Sequence, residues 1–189
     1  MVHLHVAERA TVFVPLCGKS LDMRWLREEK DHPVLGIEIA ANACRDFFRE
    51  WNVEPTLTRA GSFEVYQARE ITLLCGDFFA LDRQDLLGVG AVFDRAALIA
   101  LPEQMRDAYA RKLLEILPAR TPILLIAPEY PQHEMSGPPF SVEGAEIRSL
   151  FNGCEIDELA AVDVTHSPDN ARFRQRGVTR LLERVYRIR

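Results

Sequence analysis

The chain has 189 residues, 48% of them hydrophobic, which is enough apolar material for one domain, residues 1–189, with a full core. A net charge of −5 argues against a nucleic-acid backbone as partner, because such binders carry a basic face. No run approaches about 18 apolar residues and Met1-Val-His-Leu-His5 has no signal-peptide pattern, so neither a membrane span nor export is expected, and the protein is read as cytoplasmic and monomeric.

The four cysteines, Cys17, Cys44, Cys75 and Cys154, form no C-x-x-C pair and no disulfide framework, which fits a reduced compartment and no structural zinc. His3 and His5 alternate near a terminus and read as unstructured rather than as a metal pair.

In chain order, residues 11–14 form a first apolar strand, and Ser20 to Lys30 a helix with Leu21, Trp25 and Leu26 on its buried side. Val34 to Ile37 is a second strand. Asn42 to Trp51 places Cys44, Phe47, Phe48 and Trp51 at helical spacing, with both tryptophans read as core. Thr56-Leu-Thr and Phe63-Glu-Val-Tyr-Gln read as a small hairpin that leads into a third parallel strand at Ile71 to Leu74. Ala91 to Phe93 is a fourth, with Asp94 and Arg95 at its carboxyl end.

Pro102 opens a helix whose buried stripe is Met105, Tyr109, Leu113 and Leu117 and which ends before Pro118. Residues 122–127 are a fifth, strongly apolar strand. After the turn at Gly137-Pro-Pro-Phe140, Ser141 is expected to cap a helix running to about Phe151. Ile156 to Val162 and Leu181 to Ile188 complete the chain as an antiparallel pair joined by a loop at 163–177. The pattern predicts an α/β fold, Rossmann-like and doubly wound, with a mostly parallel seven-stranded sheet and helices on both faces.

The loop after the first strand, Pro15-Leu-Cys-Gly-Lys-Ser20, lacks the G-x-G-x-x-G that seats a pyrophosphate. Its Gly-Lys-Ser ending imitates a P-loop, but the first glycine of that motif would fall on Phe13. Twenty residues after Gly18, the second strand ends in Glu38, an acid placed to accept both hydroxyls of a ribose. What remains is a ligand with adenosine and no phosphates, and S-adenosylmethionine is the common one.

With these residues placed, the chain resembles the thiopurine S-methyltransferase family of S-adenosylmethionine-dependent methyltransferases. The matching segments are Phe13-Val-Pro-Leu-Cys-Gly-Lys-Ser20, Gly36-Ile-Glu38, Cys75-Gly-Asp-Phe78, Asp94-Arg-Ala-Ala-Leu98 and Gly137-Pro-Pro-Phe140. The resemblance implies that Leu16 and Gly18 line the methionine side of the cofactor, that Glu38 binds its ribose and that Gly76, Asp77 and Phe78 lie at the adenine. It places Arg95 near cofactor and substrate, and supports Arg172 and Arg174 as guides for the substrate, although the cluster of Arg172, Arg174, Arg176 and Arg180 is most simply a solvated loop. The implied activity is methyl transfer to sulfur of aromatic and heterocyclic thiols. Methylation of selenium or tellurium compounds, or a cofactor-binding module with impaired catalysis, are the alternatives. Family members carry tryptophans in a segment before the first strand, whereas about ten residues precede Thr11 here, so that cover is expected to be absent, in a truncated chain or a short member alike.

A sulfonium donor and a thiolate acceptor need alignment and a dry site rather than a covalent catalyst, so no catalytic nucleophile and no metal are expected. Cys17 reads as a small residue that fits the loop. Deprotonation of the acceptor is spontaneous or assisted by a carboxylate such as Asp77; the sequence leaves both open.

Overall fold

The computed structural model describes residues 6–189, so His3 and His5 lie outside the described residues. Two compact units are distinguished, one comprising the chain up to Phe93 together with Glu115–Pro122, the other Asp94–Leu114 together with Ile123–Arg189.

The first unit holds β1 (Thr11–Val14), α1 (Asp22–Glu28), β2 (Val34–Glu38), α2 (Ala41–Glu50), β3 (Thr56–Ala60), β4 (Phe63–Ala68), β5 (Ile71–Cys75) and β6 (Val89–Asp94, its last residue in the other unit). Its strands lie in the order β3-β4-β5-β2-β1-β6. β1 pairs in parallel with β2 and β6, and β2 in parallel with β5, so the carboxyl ends of these four strands share one edge. Strands flanked on both sides must be apolar on both faces, which is why Val12, Phe13 and Ile37 are fully buried. β4 and β3 continue antiparallel from β5, and every residue of the edge strand β3 is exposed. A short edge carrying Arg59 resists further pairing.

The second unit holds α3 (Ala97–Ala100), most of α4 (Glu103–Ile116), β7 (Ile123–Glu129), α5 (Gly144–Leu150), β8 (Ile156–Asp163), α6 (Ala171–Gln175) and β9 (Leu182–Ile188). β9 lies between β7 and β8, antiparallel to both. The seven expected strands are therefore all present, and the β3–β4 hairpin brings the described total to nine.

Several helix details differ from the sequence reading. α1 starts at Asp22, so Met23 and Leu26 face inward, Leu21 is 71% exposed and Trp25 39% exposed. Trp25 instead rests beside Phe93, ring centres 6.5 Å apart, with the Lys30 ammonium 4.9 Å over its ring. Trp51 is buried as expected, and the guanidinium groups of Arg24 and Arg69 each sit 5.2 Å from its ring centre. On α4, Tyr109 and Leu113 are buried but Met105 is exposed. Arg106 turns inward in its place, donating from Nε to the Leu101 carbonyl and from Nη1 to Glu146 at 2.8 Å. Ser141 does not cap α5, whose N-cap is Glu143 without a side-chain bond; the Ser141 hydroxyl is taken by the Tyr130 amide at 3.0 Å. The loop expected at 163–177 contains α6, whose Phe173 packs with Tyr130, Met135, Val178 and Leu181.

Candidate cofactor site

Three connections leave the shared carboxyl edge of the first unit, and all three are tied to the last two residues of β2. The Cys17 amide donates to the Ile37 carbonyl at 2.9 Å, and the Gly76 amide donates to the Glu38 carbonyl at 2.9 Å. The Glu38 carboxylate takes the third and fourth bonds, Oε2 from the Gly18 amide at 2.9 Å and Oε1 from the Ala40 amide at 2.7 Å. A carboxylate has about four acceptor sites, so each Glu38 oxygen keeps a lone pair for a further donor. Leu16 and Gly18 both adopt positive φ, 43° and 52°, which turns the chain sharply off β1 and brings the Gly18 amide onto Glu38.

The glycines at this edge have distinct reasons. A Cβ at Gly36 would lie 2.7 Å from Leu73 Cδ2 and 2.8 Å from Cys17 Sγ, so the thiol of Cys17 occupies the space that Gly36 leaves. Burial pushes that thiol well above its ordinary pKa, and a neutral buried thiol is a packing group rather than a nucleophile. A Cβ at Gly76 would meet the Phe63 ring at 2.6 Å, so this glycine allows the β5 turn to pass over β4.

Of the other expected residues in this unit, Asp77 is exposed and its Oδ1 accepts the Phe79 amide at 2.9 Å, opening a single turn of 3-10 helix at Phe78–Ala80. Phe78 is 2% exposed, so its ring belongs to the core. The exposed aromatic is Phe79, edge-on to Phe78. Ile39, which the sequence reading passed over, is 69% exposed immediately after Glu38. Lys19, the lysine of the P-loop-like ending, is held by Glu50, Nζ to Oε1 2.5 Å, and Ser20 bonds to Asp22. The acid at the edge and the engaged lysine suit an uncharged sugar and oppose a phosphate.

Arg95, Arg172 and Arg174 belong to the second unit. Asp94 and Arg95 separate sharply at the end of β6. Arg95 is exposed, while Asp94 is buried, its Oδ1 accepting the amides of Ala97 and Leu98 and its Oδ2 the Tyr109 hydroxyl at 2.6 Å. Arg174 is partly committed to structure, Nη1 donating to the Thr165 and Ser167 carbonyls at 2.7 and 2.9 Å. Arg172 lies over the Phe173 ring, and Arg176 donates to the Pro138 and Gly137 carbonyls. Arg172 and Arg174 lie on the helix α6 rather than in the expected loop, and Arg176 follows it, while the side chains of all four arginines of the cluster, Arg180 included, are exposed.

The fold is that of S-adenosylmethionine-dependent methyltransferases. Such an enzyme from Methanosarcina mazei superposes with a TM-score of 0.67 at 12% identity, covering 100% of this chain and 96% of that one. Mycolic acid cyclopropane synthase, solved with S-adenosylhomocysteine, gives 0.64 at 13% identity over 98% and 80%. The family model for thiopurine S-methyltransferase matches residues 1–189, and the chain belongs to that family. The thiopurine S-methyltransferase of Pseudomonas putida is 45% identical over 185 residues, 98% of this chain and 84% of the relative. That of Nitrosospira multiformis is 48% identical over 184 residues, 97% and 82%. Among the described residues no helix is long and apolar enough to cross a membrane.

Proposed function

We infer that this chain transfers the methyl group of S-adenosylmethionine to the sulfur of an aromatic or heterocyclic thiol. Family membership along the whole chain supports that activity, and the observation that carries it to particular residues is the Gly18–Glu38–Ala40 clamp at the shared strand edge. When bound, the cofactor supplies an electrophilic methyl on a sulfonium. Glu38 accepts the ribose hydroxyls on its remaining lone pairs, and the turn at Leu16 and Gly18 lies along the methionine portion. Gly76, Asp77 and the main chain of Phe78 border the adenine.

Arg95, Arg172 and Arg174 hold the thiol substrate, their positive charge favouring its thiolate form. The protein's contribution is alignment and exclusion of water, since a cationic donor and an anionic acceptor neutralise one another during transfer. No covalent catalyst is needed. We read the protein as a cytoplasmic, monomeric enzyme with no nucleic-acid partner, in keeping with its acidic balance.

Calorimetric titration with S-adenosylhomocysteine, followed by a methylation assay on a thiopurine, tests the reading. Binding with turnover is expected. Binding without turnover leaves only a cofactor-binding module, and no binding removes the assignment.

A further inference from the structure

Three of the four cysteines gather on the same short stretch of β2 from three different elements. Cys17 comes from the loop after β1 and covers Gly36. Cys44 comes from α2, with its Sγ 3.9 Å from the Glu38 carbonyl. Cys75 ends β5 directly opposite Glu38 in the sheet, and the next amide, Gly76, donates to that same carbonyl. Cys44 and Cys75 are thus brought together around the same Glu38 carbonyl, the first buried and the second half-buried.

We propose that Cys75 and Cys44 form a dithiol modification site, closed to an intramolecular disulfide by a small disulfide of the glutathione class. The Cys75 thiolate attacks one sulfur of that disulfide; its S–S bond breaks and one glutathione leaves as thiolate. Cys44 then gives up its proton and attacks the Cys75 sulfur, and the second glutathione leaves. Two protein thiols are oxidised, one external disulfide is reduced to two thiols, and no other reagent is consumed. The order follows from exposure, since Cys75 is the one reached from solvent. Burial pushes the Cys44 thiol up, which suits a resolving group that acts only once its partner is activated.

The pair flanks the cofactor cradle. α2 is fastened to Glu38 through Ala40, and β5 through Gly76. Bringing two sulfurs to a bond of about 2.05 Å draws α2 against β5 and shifts those anchors relative to Glu38. The disulfide is expected to weaken cofactor binding on the order of tenfold, as linked sites do. This last consequence rests on the cofactor reading; formation of the disulfide does not.

The test treats the 189-residue chain with glutathione disulfide, maps cysteines by peptide mass spectrometry, and titrates reduced and oxidised protein with S-adenosylhomocysteine. A Cys44–Cys75 disulfide that dithiothreitol reverses is expected. Cys44→Ser should stop at glutathione attached to Cys75, while Cys17→Ser and Cys154→Ser should still close the bond. A disulfide between any other pair, glutathione that remains on wild-type Cys75, or no oxidation would overturn the proposal. Equal S-adenosylhomocysteine affinity of the two forms would overturn the link to the cradle. Failure of the reduced protein to bind S-adenosylhomocysteine would instead strike the cofactor reading and leave the mapped disulfide standing.

Discussion

The Gly18 amide and the Glu38 carboxylate close a twenty-residue stretch of chain with one 2.9 Å hydrogen bond, and the other Glu38 oxygen holds the Ala40 amide at the head of α2. One side chain therefore fixes the position of two connections before any ligand arrives. Such preorganisation lowers the ordering cost that binding would otherwise carry.

Glu38→Ala removes both clamps and, on the proposed function, the acceptor for the ribose. Losing hydrogen bonds to a charged group costs about 1–3 kcal/mol, so the Kd for S-adenosylhomocysteine should rise roughly 5- to 150-fold. Calorimetry on the variant checks this, with circular dichroism to establish folding. An unchanged Kd in a folded variant would take Glu38 out of the site.

Gly36→Ala tests the packing beneath the loop. The added carbon would lie 2.7 Å from Leu73 Cδ2, 2.8 Å from Cys17 Sγ and 3.3 Å from Met23 Sδ. Overpacking of this kind costs about 1–3 kcal/mol. The urea midpoint should fall accordingly, and adding Cys17→Ala should recover part of the loss because it removes one of the two closest atoms.

The parts of this site legible in the sequence are those in which main chain and spacing dominate. A single glycine after an apolar strand, and an acid at the end of the next, specify Gly18 and Glu38 without knowledge of tertiary packing. The identity of the buried face on short helices was less legible. α1 has only seven residues, and with its start two positions later than expected Leu26 is buried as expected while Met23 takes the inward place expected of Leu21 and Trp25. At Met105 the hydrophobic pattern was overridden by Arg106, whose charge is buried only because Glu146, forty residues away, lies within reach. Ser141 looked like a helix cap, but the Tyr130 amide competes for the same hydroxyl and no local pattern records that. Likewise Phe78 and Phe79 are neighbours of one type, and only the 3-10 turn capped by Asp77 decides which ring is buried.

Tyr186 and Gly144 provide a paired test in the second unit. The Tyr186 hydroxyl is fully buried without a hydrogen-bond partner among the described residues, and a Cβ at Gly144 would sit 2.8 Å from it. Tyr186→Phe deletes an unsatisfied polar group and keeps the ring, so stability should rise by about 1 kcal/mol. Gly144→Ala alone should cost about 1–3 kcal/mol, and much less in the Tyr186→Phe background, where the nearest remaining atom of the ring is 3.8 Å away. Thermal unfolding of the four proteins in this cycle measures the coupling. Additive effects would mean that the hydroxyl is not what excludes the methyl group.

Asp94 gives the pH dependence an identifiable sign. Desolvation holds its carboxyl above the ordinary value of 3.8, opposed by the hydrogen bonds from Tyr109, Leu98 and Ala97, while burial and the Asp94 charge keep the Tyr109 phenol protonated as a donor. Below pH 3.8 the folded and unfolded chains both carry the Asp94 proton. As pH rises past that value the unfolded chain releases it first, so stability falls until the folded carboxyl ionises and is level thereafter. Glu134 and Asp163 act in the opposite sense. Their bonds to Thr179 and Thr165 lower their pKa values, so their contribution is complete above the ordinary carboxylate range and is lost as pH falls through the lowered values. Asp94→Asn should remove the falling component and leave the acid-side loss intact. Tyr109→Phe, by deleting a bond that favours the charged form, should move the Asp94 titration further up and widen the falling window. Urea unfolding of the three proteins across pH, with carbon NMR of the Asp94 carboxyl, checks both statements. A titration that moves down in Tyr109→Phe would show that this hydroxyl does not stabilise the Asp94 carboxylate.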